Sequence, residues 1–333
     1  MKIKISNKWI GNEQRAFIIA EGGINHNGKV SIAKKIILAA KDAGADPIKF
    51  QTFTAEDLTS IHSKYYKLFK KLELSIQDFD ELSSFAKKQK IIFLSTPFSN
   101  NAVDQLSKIN MVAYKIASGD LTDLPLIKYA AKKNKPMILS TGMATIKDIK
   151  EAIKSIVHIN KKIILLHSSS AYPTPYNQTN LTAIHTLKKQ FPYPVGYSDN
   201  GDDMDVPLIA VASGAKIIEK HFTYNKKLWG PDQKLSASPT ELRNMIKKIR
   251  KIEEMLGDGI KKCQPSEVEN LIHVRRSLTA KQHIKKGTKI SEENLVIKRP
   301  ALGIAPKFFD QILGMIAIKD IKQDQSIEWK DVR

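Results

Sequence analysis

Short apolar runs recur through the first 223 residues: FIIA (17–20), PIKF (47–50), IIFL (91–94), AYKIA (113–117), PMIL (136–139), IILL (163–166), PVGY (194–197) and KIIE (216–219). Most are continuous instead of alternating, the pattern of strands buried on both faces. Between most of them lie segments with helical apolar spacing, such as 30–45, 78–90 and 144–159. Strand followed by helix, repeated, predicts a parallel sheet. Eight units in roughly 220–250 residues fit a (β/α)8 TIM barrel better than an open doubly wound sheet. The helical stretch 240–257 closes this region, and a polar connection follows at 258–273. From 274 to 333 short β-rich runs alternate with Lys-Gly and Arg-Pro turns, predicting a small, mainly β domain. The expected organisation is therefore a barrel over 1–257, a linker over 258–273 and a second domain over 274–333.

The runs stop on polar residues able to do chemistry: Glu21, Gln51, Ser95-Thr96, Ser118, Ser140-Thr141, Ser168 to Ser170, Ser198-Asp199 and Lys220-His221. A parallel barrel builds its active site at the carboxyl ends of its strands, so the chain reads as an enzyme. Glu21 places a carboxylate at the mouth, ahead of a glycine-rich loop. Lys49, Gln51 and Lys115 alternate with apolar neighbours, which turns all three to one side of their strands. A lysine facing a barrel interior needs an anion, either a protein carboxylate or a ligand. Ser118-Gly119-Asp120 and Ser140-Thr141-Gly142 add hydroxyls and exposed amides beside those lysines, which favours an anionic substrate.

Charge changes this picture little. With 54 Lys and Arg against 34 Asp and Glu the net charge is +20. The segment 274–333 has 13 basic and 7 acidic residues, leaving +6 there and +14 for the rest. The excess is spread over both domains without an aromatic-interleaved basic stripe, so it reads as a solvated lysine-rich surface and not a nucleic-acid face. No run of 18 apolar residues exists, and the chain begins with a β-rich segment instead of a signal sequence, predicting a cytoplasmic protein with no membrane partner. The one cysteine, Cys263, excludes an internal disulfide and reads as an ordinary thiol.

The motifs EGGINHNG (21–28), IKFQT (48–52), FLSTPFS (93–99), YKIASGD (114–120), ILSTGM (138–143), AYPTPY (171–176), GYSD (196–199), IEKHFT (218–223) and GPD (230–232) resemble the sialic acid synthase family in order and spacing. The segment from RRSL through IKRP to ILGM resembles that family's antifreeze-like (SAF) domain. The resemblance implies condensation of phosphoenolpyruvate with the open-chain aldehyde of an N-acetylated hexosamine, assisted by divalent manganese or magnesium as a Lewis acid. It also implies roles for individual residues. Lys49, Lys115, Ser118, Ser140 and Ser170 would hold phosphoenolpyruvate, and Glu21 would orient the substrate and move a proton. Tyr172 and Asp232 would bind sugar hydroxyls, while Gln51, Thr96, Phe98 and Asp120 line the pocket. Arg299 would reach the N-acetyl group from the second domain, in a domain-swapped homodimer.

One departure concerns the metal. Where the family carries a second metal-binding histidine this chain has Asn200, leaving His221 and Asn200 as the expected ligands. Weaker binding of a hard cation is favoured over a metal-independent variant or recruitment of Asp199 or Asp202. Ser170 is a second departure, standing where neuraminate-forming members have asparagine. With residues 51–58 and the segment KKLELSIQDF (70–79) it points to the legionaminate-type branch. Two other classes fit the residues: a Schiff-base aldolase using Lys49 or Lys115 as nucleophile, and a non-catalytic relative that binds carbohydrate.

Overall fold

The chain opens with a β-hairpin, β1 (Lys2–Ile5) and β2 (Lys8–Gly11), whose inward residues Ile3, Ile5 and Ile10 join the main core. The computed structural model describes residues 1–333 and divides into two units, Met1–Gly257 and Asp258–Arg333.

Eight parallel strands then close into a barrel: β3 (Phe17–Gly23), β4 (Pro47–Thr52), β5 (Ile92–Pro97), β6 (Tyr114–Ile116), β7 (Met137–Ser140), β8 (Ile163–Ser168), β9 (Val195–Asp199) and β10 (Ile217–His221). Each pairs with its neighbours in chain order and β10 returns to β3. The predicted barrel is thus the observed one. β4, β5, β8 and β10 run at least two residues beyond their apolar runs, carrying Gln51, Thr96, Ser168 and His221 up to the mouth as strand residues.

Helices α1 (Val30–Ala43), α2 (Ala55–Leu58), α3 (Tyr66–Leu72), α4 (Ile76–Lys88), α5 (Asn100–Lys108), α6 (Leu124–Ala131), α7 (Ile146–Ile156), α8 (Ala183–Gln190), α9 (Val206–Ala212) and α10 (Pro239–Leu256) occupy the connections and follow β10. Their starts are written locally. Ser75 with Asp78, Thr145 with Asp148 and Ser238 with Glu241 form reciprocal capping boxes, each satisfying two otherwise orphaned amides. The stripe Ile149, Ala152, Ile153 and Ile156 follows i, i+3, i+4, i+7 and is the buried face of α7. Burying each isoleucine contributes on the order of 2 kcal/mol. At the other end of α1, Gly44 takes φ 93° and donates to Ala40 and Lys41, a left-handed cap that glycine adopts without a Cβ penalty.

The second unit begins within the segment expected to be a linker. Residues 258–273 carry α11 (Val268–His273), whose Ile272 carbonyl accepts from the Ala301 amide. The polar composition hid a helix of only six residues. Beyond it, β11 (Ser277–Ala280) and β12 (Leu295–Lys298) pair antiparallel, and α12 (Phe309–Ile312) follows. Leu278, Ile284, Ile290, Leu295, Ile304, Ile312, Ile321 and Ile327 form its own core. No helix of the chain is long and apolar enough to cross a membrane.

Gly196 on β9 marks the tightest point of the barrel wall. A Cβ there would overlap the Ile217 carbonyl oxygen and lie 2.7 Å from both Ile217 Cβ and Leu166 Cδ2. Gly196→Ala is expected to lose about 3 kcal/mol in urea unfolding because backbone must move to admit it; a loss under about 0.5 kcal/mol would show the wall to be compliant.

Candidate active site

Register places charge against charge. Glu21 on β3 lies beside Lys49 on β4 and beside His221 on β10. Lys49 Nζ is 2.6 Å from Glu21 Oε2 and 3.7 Å from Glu219 Oε2, and Lys115 Nζ is 3.0 Å from Glu219 Oε1. The result is an alternating line, Glu21, Lys49, Glu219, Lys115, with all four side chains buried. Lys49 also donates to Thr96 Oγ1 at 3.0 Å, Ser198 Oγ donates to Glu219 at 2.9 Å, and Gln51 Nε2 reaches Glu21 Oε1 at 3.3 Å. The inward lysines are therefore partnered by protein carboxylates, one of which, Glu219, was not among the expected site residues. A signal for it existed: Glu219 is two residues from His221 and so shares its strand face.

Burial and the neighbours divide the four chemically. Burial, together with the charge of Glu219, raises the Glu21 carboxyl above its usual range against the pull of Lys49. Glu219 is driven the other way: burial would raise it, but Lys115 and Lys49 hold it low. Burial would lower the Lys49 ammonium, yet the two carboxylates keep it raised and charged. Lys115 is lowered by burial and by Lys49, despite Glu219. Glu21 is accordingly the carboxyl that takes up a proton most readily, and Lys115 the ammonium that releases one most readily.

Above this line lies a cavity of about 380 Å³. Glu21, Lys49, Gln51, Thr96, Phe98, Lys115, Ser118, Ser140, Ser170, Tyr172, Asn200 and His221 all line it, so the fold gathers twelve of the residues named from sequence. Gly142 is the hub of the serine side. Its amide donates to Ser118 Oγ at 3.0 Å, and a Cβ on it would overlap Ser170 Oγ and stand 2.8 Å from Ser118 Oγ. Only a glycine lets the two hydroxyls converge. Ser140 Oγ and His221 Nδ1 are buried with no protein hydrogen bond. Each such atom costs roughly 1–3 kcal/mol unless a ligand satisfies it.

Three expected residues do not line the cavity. Asp120 sits at the end of a short 3-10 turn (Ser118–Asp120), and burial pushes its carboxyl up to about 6. Asp232 lies at the margin, its Oδ2 3.8 Å from His221 Nδ1. Arg299 follows β12 in the second unit and is exposed.

The residues after Ser198 revise the metal-ligand alternatives. Asp199 is not free to replace a histidine: its carboxylate is 2.6 Å from Lys220 Nζ and accepts from the Gly201 amide and the Tyr197 hydroxyl. Asp202 is exposed and lines nothing. Asn200 does line the cavity; its Nδ2 donates to Ser169 O at 2.7 Å, which turns Oδ1 the other way. Tyr172 packs edge-on to the His221 ring at 5.8 Å, and burial, with Asp232 adding, pushes its hydroxyl up to about 12. His26 accepts from the Gly28 amide and orders the first loop, while burial holds it down to about 4 and neutral.

A parallel barrel with a charged, serine-lined mouth defines a class of barrel enzymes that take anionic substrates. The chain belongs to the NeuB family, which matches residues 36–261, and the SAF domain matches residues 275–333. It is 44% identical over 331 residues to N,N'-diacetyllegionaminic acid synthase of Campylobacter jejuni, covering 94% of this chain and 99% of that protein. An uncharacterized protein of Methanocaldococcus jannaschii is 49% identical over 332 residues, covering 99% of this chain and 98% of the relative. Among solved structures, N-acetylneuraminic acid synthetase from Leptospira borgpetersenii superposes with TM-score 0.79 at 38% identity, covering 81% of this chain and 95% of that one. Like those synthases, the protein is a transferase that uses phosphoenolpyruvate.

Glu219→Gln is expected to cost about 3 kcal/mol in urea unfolding, because it leaves the buried Lys115 without its carboxylate. Stability equal to the wild type would mean that Lys115 is neutral or solvated, and that the four charges do not act as one line.

Proposed function

We propose that this enzyme condenses phosphoenolpyruvate with the open-chain aldehyde of a diacetamido hexose of the legionaminate type, yielding a nine-carbon 2-keto-3-deoxy acid and phosphate. The observation that carries this is the buried line of two lysines and two carboxylates beneath the serine cradle. Its support for the particular sugar is the 44% identity to a legionaminic acid synthase over nearly the whole of both chains.

Phosphoenolpyruvate presents a carboxylate and a phosphate. Lys49 supplies a fixed positive charge and Lys115 a second amine that an arriving anion favours in its charged form, and Ser118, Ser140 and Ser170 supply hydroxyl donors around Gly142. The partnerless Ser140 hydroxyl gains its acceptor when the anion arrives. Carbon 3 of the enol then attacks the aldehyde carbon, joining three carbons to six. Water adds at carbon 2, and phosphate leaves with cleavage of its C–O bond. Glu21, whose carboxyl is raised into reach of proton exchange, is the group placed to hold and move the proton. Gln51 orients Glu21 through its 3.3 Å hydrogen bond. Tyr172 and Asp232, beside His221, bind sugar hydroxyls, with Phe98 and Thr96 as walls. Arg299, exposed after β12, serves the acetamido end in a homodimer whose second domains reach across to the partner's barrel.

Synthases of this family are generally metal-dependent. The chain has no convergence of three His, Cys, Asp or Glu, but the buried Nδ1 of His221 makes no protein hydrogen bond and Asn200 Oδ1 is turned away from the Ser169 carbonyl. These donors fit a hard cation such as manganese or magnesium held by His221 and Asn200 and otherwise by oxygens of water or substrate. When bound, the cation supplies Lewis-acid polarisation of the aldehyde oxygen.

Phosphate release is expected to require an amino sugar, to fall on chelation, and to run at least about tenfold faster in kcat/KM with 2,4-diacetamido-2,4,6-trideoxymannose than with N-acetylmannosamine. Glu21→Gln should lower kcat by about 100-fold or more. Preference for N-acetylmannosamine would overturn the legionaminate assignment, and sugar-independent release would overturn the condensation itself.

A further inference from the structure

We propose that Tyr176 and Asp203 form the outer half of a two-point clasp that holds Tyr172 over His221, with Asn200 as the inner half. This deepens the reading of the cavity as a sugar site and rests on it for its functional consequence.

Two mouth loops are involved. Residues 169–182 connect β8 to α8 and carry Tyr172; residues 200–205 connect β9 to α9 and carry Asn200 and Asp203. The second loop is tied down from below. Lys220, fully buried on β10, donates to Asp199 Oδ2 at 2.6 Å, to the Gly201 carbonyl at 2.5 Å and to the Asp203 carbonyl at 3.2 Å. Three acceptors on one buried ammonium, with Asp199 also holding the Gly201 amide, fix this loop to the strand that bears His221. Asp203 Oδ1 is fixed as well, accepting from the Asp205 amide at 2.7 Å.

The first loop is held to the barrel only at its far end, where His167 Nε2 on β8 lies 2.8 Å from the Thr179 carbonyl. From Ala171 to Asn180 only Thr174 is buried, and Tyr172 and Tyr176 are 56% and 68% exposed. Its internal side-chain ties are the Ser169 hydroxyl on Gln178 O, the Thr174 hydroxyl on Ala171 O and Ser169 O, and the Thr179 hydroxyl on Tyr176 O. A segment with so few buried side chains opens locally at low cost. It is fastened to its rigid neighbour at two points. On the inside, Asn200 Nδ2 donates to Ser169 O at 2.7 Å and to Ser168 Oγ at 3.3 Å; Ser169 O can only accept, so the amide nitrogen must face it. On the outside, the Tyr176 hydroxyl donates to Asp203 Oδ2 at 2.6 Å. Tyr172 lies between the two attachments. Tyr176 touches no substrate and acts as a positioning residue.

The test uses the full-length protein with Tyr176→Phe, Asp203→Asn and the double substitution, none of which opens the barrel core. Amide hydrogen exchange across 170–179 should quicken roughly fivefold in each single variant, the effect of one net hydrogen bond, and no further in the double. Tm should be unchanged, KM for the amino sugar should rise several-fold and KM for phosphoenolpyruvate should stay. Wild-type exchange in both single variants would overturn the clasp, as would additive effects in the double. If exchange quickens but the wild-type enzyme releases no phosphate with any amino sugar, the clasp stands and the synthase reading falls.

Discussion

Four buried charges in a row set the terms for the rest of this barrel. Taking even one lysine out of water is costly, and Lys49 and Lys115 are tolerated because Glu21 and Glu219 stand within ion-pair distance of them. The arrangement fixes the register of β3, β4, β6 and β10 in the lumen. It also leaves the line balanced, two carboxyl groups against two amines, with both amines held facing the mouth. Such preorganised charge in a low-dielectric mouth is what stabilises charge during reaction without reorganisation at that moment.

The other features extend from that line. The serine cradle depends on Gly142, since any side chain there displaces Ser118 and Ser170. The Tyr172 side of the mouth depends on Lys220, which alternation along β10 turns away from Glu219 and His221 and into the β9–α9 loop. One strand thus serves two sides: Glu219 and His221 face the chemistry, and Lys220 fixes the loop that frames it.

The barrel was legible because its strands are short, apolar and separated by amphipathic helices, and because polar residues follow each apolar run. The lumen lysines were legible as costly. Their partner Glu219 was legible only through its two-residue spacing from His221, because the run KIIE reads as one apolar strand. The helix Val268–His273 escaped for a related reason: six residues in polar surroundings carry too little periodicity. Asp199 looked available as a replacement ligand because its partner, Lys220, is 21 positions away, and no local spacing announces a contact set by neighbouring strands. Asn200 was visible as a departure from the family, but its role as a loop tie required the position of the Ser169 carbonyl.

On the proposed function, Lys49, Lys115 and the serine cradle receive an intact enol phosphate. The most direct measurement is a crystallographic map of the full-length enzyme soaked with phosphoenolpyruvate. Unbroken phosphoenolpyruvate is expected, with its anionic groups against Lys49, Lys115, Ser118, Ser140 and Ser170. Density for a pyruvyl group covalently joined to Lys49 or Lys115 would contradict it in favour of a Schiff-base aldolase, and a fully occupied ligand elsewhere would contradict it outright.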